Sequence, residues 1–271
     1  METYRGLVLA QRTAGDRGKF IDILTEKNTL QEVYVRGAKK ASASGTSTTQ
    51  LFSYATFSVQ QRQNRFYLDS TDPIRIFYRL RESLSRLSLA MYFSELLRQS
   101  VREYHNPGEN CEVMRLALNT LHYLENGQRE EGLLKPVFEL RLMTELGMMP
   151  DLLMCRCCGK FLPKRLYFSV EEGCFSCQDC GAPKTAYAPI LLRAPALQAM
   201  RHMIFADFSR LYNFRLGAEN LAAVQLCAER FVRYHLDVRL DTLEFYHKIT
   251  TPLQLMEETT HEPTSSDTGI S

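Results

Sequence analysis

The sequence predicts a multidomain α+β protein: an N-terminal β barrel of the OB type, followed by an α-helical body that carries a four-cysteine zinc insert. Three observations carry this expectation. The first 72 residues break into short runs rich in β-branched and aromatic residues, separated by turn-forming clusters. From Asp72-Pro73 onward, apolar residues recur at the three- and four-residue spacing of amphipathic helices. Six of the eight cysteines fall between positions 155 and 180, a clustering that points to metal when the chain carries no export signal.

Strands are expected over 4–12, 19–25, 30–37, 54–61 and 65–69. Alternation is clearest where Ala55, Phe57 and Val59 oppose Thr56, Ser58 and Gln60, and Gln61 to Asn64 makes a hairpin turn. Residues 38–50 hold Lys39-Lys40 after Ala38 and continue as a Ser/Thr/Gly/Ala tract with nothing to pack, so a mobile loop is expected there. Five short strands with one long basic loop suit an OB-type barrel, and an SH3-like barrel is the alternative. In the body, Leu80, Leu84, Leu87, Met91, Leu96 and Val101 mark a helix to Tyr104, which Asn106-Pro107-Gly108 stops. Helices follow over 112–125 and 135–146, the latter with Pro136 in its first turn and Gly147 as its C-cap. After the insert, 194–205 and 218–239 are again helical, the second with Leu221, Val224, Ala228 and Phe231 on one face. The expected divisions are a barrel over 1–72, a helical domain over 73–251 containing the insert at 151–185, and a disordered acidic tail over 252–271.

Net charge is +2, but it is unevenly spread. Residues 1–80 hold twelve Lys/Arg against seven Asp/Glu and ten of the 28 Phe and Tyr, while the last twenty residues hold four acids and no Lys or Arg. A basic, aromatic-rich first domain is the mixture a single-strand nucleic-acid platform needs. No apolar run is long enough to span a bilayer, and the start Met1-Glu2-Thr3-Tyr4-Arg5 lacks the basic-then-apolar pattern of a signal peptide. A cytoplasmic, nucleoid-associated address is expected.

The insert contains Cys155-Arg156-Cys157-Cys158-Gly159 and Cys177-Gln178-Asp179-Cys180-Gly181. Two residues between paired cysteines let one tight turn present both sulfurs, and the following glycine lets the chain fold its N–H groups back toward them. The two pairs lie within the spacing range of a four-cysteine zinc site. Cys174 also forms C-x-x-C with Cys177, and Cys157 adjoins Cys158, but neither alternative pair ends in glycine. The expected ligands are therefore Cys155, Cys158, Cys177 and Cys180, holding one structural zinc. A catalytic zinc keeps a position open for water and commonly uses His, and no His lies between 123 and 201. The six histidines are scattered, no phosphate-cradling or nucleophile-elbow motif is present, and adjacent carboxylates such as Glu130-Glu131 read as solvated faces. The reading is of a non-enzymatic protein. A protein-interaction scaffold and a zinc-dependent nucleic-acid enzyme are the alternatives.

Several segments then arrive in a familiar order. They are Leu24-Thr25-Glu26, Val35-Arg36-Gly37-Ala38-Lys39-Lys40, Gln50-Leu51-Phe52, Phe138-Glu139-Leu140 with Leu146-Gly147, the two cysteine pairs, and Phe231-Val232-Arg233-Tyr234-His235-Leu236. Over roughly residues 4–247 the chain resembles the RecO family of bacterial recombination mediators. It departs at Asp241-Thr242, where relatives often carry Lys-Ser, and at Cys174, where they often carry glycine. The resemblance implies a protein that binds single-stranded DNA and anneals complementary strands. It also implies engagement of the acidic C-terminal tail of single-stranded-DNA-binding protein (SSB) and, with RecR, help in loading RecA. Phosphate contacts are expected from Arg36, Lys39 and Lys40, supported by Arg12, Lys19, Arg62 and Arg65, with Tyr34, Tyr54 or Tyr67 as stacking rings. The tail is expected in an apolar groove at the 135–146 helix, rimmed by Lys135 and Arg141.

Overall fold

The computed structural model describes residues 1–15, 18–37, 47–104 and 112–250. The greater part of the expected 38–50 loop, with Lys39 and Lys40, the helix stop at 106–108 and the acidic tail lie outside the described residues.

Strands β1 (Glu2–Thr13), β2 (Gly18–Thr25), β3 (Leu30–Arg36), β4 (Ser53–Arg62) and β5 (Arg65–Ile76) close into a barrel in the order β1-β2-β3-β5-β4. Neighbours are antiparallel except β3 and β5, which run parallel with Tyr34 opposite Tyr67. Alternation sets the two faces: Val8, Ile21, Ile23, Val33, Ala55, Phe57 and Val59 fill the barrel. β5 continues to Ile76 rather than ending at 69. Pro73 is accommodated because it pairs with Ala55 at a register shift, where the ladder is already interrupted.

The body contains α1 (Leu84–Tyr104), α2 (Val113–Asn126), α3 (Glu131–Glu145), α4 (Ala194–Phe205), α5 (Ala218–Leu236) and α6 (Asp241–Thr250). Between α3 and α4, β6 (Arg165–Ser169), β7 (Cys174–Cys177) and β8 (Ile190–Arg193) form a small sheet in the order β7-β6-β8. None of the helices among the described residues is long and apolar enough to cross a membrane.

Two expectations about helices are corrected. α3 begins at Glu131, so Pro136 sits in its interior rather than in its first turn. Proline there leaves the Gly132 carbonyl without its helical donor. The Gln225 side chain of α5 supplies that donor at 2.7 Å. The expected 218–239 helix stops at Leu236, because Asp237 adopts a left-handed backbone (φ 48°), and a separate helix, α6, follows. Glu95 of α1 accepts hydrogen bonds from both the N–H and the hydroxyl of Thr242, capping α6 where its dipole favours a carboxylate.

The barrel and body share apolar contacts. Leu7, Leu9, Leu24, Phe52 and Phe77 belong to the same buried cluster as Leu89, Phe93 and Phe138 of the helices and Leu166, Phe168 and Phe175 of the insert. Asp22 on β2 is fully buried and accepts a 2.8 Å hydrogen bond from Arg98 of α1, fixing the barrel's orientation.

Candidate metal centre and nucleic-acid surface

The sulfurs of Cys155, Cys158, Cys177 and Cys180 gather within 4.8 Å of one another. Individual separations are 3.5 Å for Cys177–Cys180, 3.6 Å for Cys158–Cys177 and 4.0 Å for Cys155–Cys180. A tetrahedral zinc with Zn–S of about 2.3 Å requires sulfurs about 3.8 Å apart, so the four thiols fit that ion. Gly159 and Gly181 both have positive φ, 71° and 85°, with open space or only a distant contact where a Cβ would stand. Glycine is therefore required by backbone conformation, not by crowding. Burial opposes ionisation of Cys155, but backbone N–H groups of Cys158, Cys177 and Cys157 bring its thiol down to about 6. Cys180 is pushed up by the neighbouring sulfurs of Cys158 and Cys177. Four such sulfurs become compatible as thiolates when a cation sits among them.

Cys157 is exposed, and Cys174 points instead to Arg156 and Glu172, at 3.7 and 3.6 Å. Cys155 and Cys177 belong to the main buried cluster, so the centre is part of the body's core rather than an appendage.

On the barrel, the structure separates the expected basic residues into two groups. Arg36, Arg62 and Arg65 are exposed and surround three aromatic rings. The guanidinium carbons of Arg36 and Arg62 lie 5.8 and 5.9 Å from the Tyr67 ring centre, and that of Arg65 lies 6.0 Å from the Phe20 centre. Phe20, Tyr34 and Tyr67 stand side by side on β2, β3 and β5, with centre separations of 5.2 and 5.6 Å. They alternate with the inward-facing Ile21, Val33 and Phe66, so they lie on the barrel's outer face. Gly18 makes room for them, because a Cβ there would come within 2.6 Å of the Tyr34 hydroxyl.

Arg12 and Lys19 have other tasks. Arg12 pairs with Glu32 and with Asp22. Lys19 donates to the Gln11 side chain and the Thr49 carbonyl, and burial lowers its pKa. Tyr54 packs against the large core rather than beside the rings. Phe20 was not visible as a platform residue from sequence, because only the strand register places it next to Tyr34.

The expected rim on α3 is not present. Lys135 is 4% exposed and bonds to Glu139 and Glu229, at 2.8 and 2.9 Å. Arg141 pairs with Glu145 and donates to the carbonyls of Ile204 and Ala206, capping the C-terminus of α4. Val137, Phe138, Leu140 and Leu142 are core. The helix faces inward on the side expected to receive a partner.

Lys135 anchors a network across four helices: Tyr92 of α1 donates to Glu139 at 2.6 Å, and His247 of α6 lies 3.0 Å from Glu229 of α5. Burial opposes the charge of Glu229, but hydrogen bonds from His247 and Lys135 win and hold it at about 2, against an ordinary 4.5. A depressed carboxylate contributes stability that is present above its unfolded value and is lost as pH falls toward the folded one. The wild-type protein should therefore lose stability between pH 4.5 and 2 partly through Glu229. In Glu229→Gln that part of the loss should disappear, which thermal melts across the interval would check; equal pH slopes for the two proteins would refute it.

Residues 1–77 match the family model described as Recombination protein O N terminal, and residues 81–244 match Recombination protein O C terminal. The chain is 26% identical over 245 residues to the DNA repair protein RecO of Alkaliphilus metalliredigens, covering 90% of this chain and 98% of that one. It is 23% identical to the protein of that name from Acetivibrio thermocellus, over 89% and 94% of the two chains. The corresponding protein of Bacillus pumilus is 25% identical, over 93% and 95%. Both domain models match in order across a barrel and a helical body that share a core, and the chain belongs to the RecO family of DNA repair proteins.

Proposed function

We propose that the protein is a recombination mediator that binds single-stranded DNA on an OB-type barrel, anneals complementary strands and, with RecR, helps load RecA onto SSB-coated DNA. The observation that carries this reading is the outer barrel face, where three guanidinium groups surround three adjacent rings. Guanidiniums neutralise phosphates without reading sequence, and rings stack on any base. Annealing needs that combination, since it screens two backbones while leaving base edges free to pair. Lys39 and Lys40, which follow β3 in the sequence, would add phosphate contacts. A structural zinc held by the four cysteines would fix the insert within the body.

For the acidic, apolar-ended SSB tail, the candidate receptor in place of the α3 face is a cleft of about 740 Å³ at the N-terminal end of α3. Leu133, Phe214, Leu216 and Leu221 line it, with Arg129 and Arg215 beside them.

Replacing Arg36, Arg62 and Arg65 together by Ala should weaken single-strand binding equally for all sequences and slow annealing. The slope of log K against log salt should fall by about 2, at roughly 0.7 per lost phosphate contact. Anisotropy titrations across salt concentrations would measure it. An unchanged slope would place the DNA elsewhere.

A further inference from the structure

A cleft of about 420 Å³ opens where the cysteine insert meets α5, lined by Val170 and Tyr187 on one side and by Arg230, Arg233 and Tyr234 on the other. That volume is within the range of small-ligand sites, roughly 300–1,000 Å³. The α5 residues are spaced three and four apart, which puts them on one side of the helix. Tyr187 is 57% exposed and Tyr234 43% exposed, with ring centres 5.6 Å apart and planes at 78°. Edge-on packing leaves a ring face free. Both walls are fixed: the Tyr187 N–H donates to Glu171 and its carbonyl accepts from the Thr185 hydroxyl, while His235 beside Tyr234 bonds through Nε2 to the Val170 carbonyl. Arg233 makes a 3.7 Å pair with Glu229, Arg230 makes no ion pair among the described residues, and no carboxylate lines the cleft.

We propose that this cleft is a second nucleic-acid site, holding a nucleotide unit of a single strand with its base on Tyr187 or Tyr234 and its phosphate on Arg230 and Arg233. Exposed rings beside guanidiniums, here Arg230 without an ion pair among the described residues and Arg233 only loosely paired with Glu229, are the pairing that single-strand binding uses. A peptide carrying only acidic side chains would engage the arginines and leave the two rings uncovered. The site stands on the body's own residues. It deepens the proposed function in one respect, because a barrel site and a body site would let one molecule hold two strand segments at once.

The test uses the full chain and a labelled thymidine octanucleotide, with binding stoichiometry read at low salt. The unaltered protein should bind two oligonucleotides. Arg230→Ala with Tyr234→Ala should bind one, and Tyr234→Ala alone should weaken the second site roughly 5- to 160-fold, the range for one lost stack. A 4-thiothymidine photocrosslink should mark peptides containing Tyr187 or Tyr234, and should still do so in the Arg36/Arg62/Arg65→Ala variant. Melting curves and retained zinc certify that each variant folds. Two oligonucleotides bound by the Arg230/Tyr234 variant, or crosslinks confined to the barrel, would overturn the inference while leaving the barrel reading intact. An acidic peptide that binds here when the oligonucleotide does not would also overturn it. Loss of barrel crosslinks alone would count against the proposed function and not against this site.

Discussion

Substitution of Cys155 or Cys180 by Ser should reduce bound metal from about one zinc per chain to near none and loosen the whole cysteine insert. The four sulfurs sit at separations that suit one tetrahedral ion, and each would be a quarter of its coordination shell. Structural zinc contributes an apparent 10–16 kcal/mol or so in small zinc modules, so a broken shell cannot be offset by the few backbone bonds of the insert. Because Cys155 and Cys177 belong to the common core, the damage should reach the neighbouring sheet and appear as faster proteolysis between β6 and β8. Cys157→Ser and Cys174→Ser should keep full metal, since one thiol is exposed and the other faces Arg156 and Glu172. Metal analysis with limited proteolysis would measure both effects. Stoichiometric zinc in Cys180→Ser would refute the ligand set.

Lys135→Met should be the most destabilising single change in the helical body. It removes the one cation that Glu139 and Glu229 share and leaves the fully buried Glu139 with only its bond from Tyr92. Glu139 Oε2 already has no hydrogen-bond partner among the described residues. Breaking a buried pair from one side costs about 3–5 kcal/mol, which for a chain of this size lowers the melting temperature by roughly 6–20 °C. Adding Glu139→Leu should recover much of that, because apolar replacement of both partners is often close to neutral. A single variant that melts like the unaltered protein would show that the network carries little of the stability.

What could be read from sequence depended on whether a local pattern was sufficient. Alternation along β4 was legible because Ala55, Phe57 and Val59 each face the barrel interior. The four-cysteine cluster was legible because the glycine after each pair has a conformational reason that holds in the structure. Pro73 and Pro136 misled because partners distant in sequence, the β4 register shift and Gln225, relieve the usual cost of a proline. Lys135 misled for a similar reason: its two carboxylates come from another turn of its own helix and from a helix 94 residues away. The outer aromatic row required strand register, which composition does not contain.

The shared core has a consequence for synthesis. The barrel leaves the ribosome first, yet Leu7, Leu9, Leu24, Phe52 and Phe77 share their buried cluster with helices and strands encoded later. At about 5–20 residues per second, α1, which carries Leu89, Phe93 and Arg98, is complete only about 1–6 s after the end of β5. During that interval the nascent barrel presents to solvent an oily flank and an Asp22 that has Arg12 but not yet Arg98, a form suited to chaperone capture. A fragment cut after β5 would hold the same exposed state permanently, so the barrel should be handled as one half of a single cooperative unit.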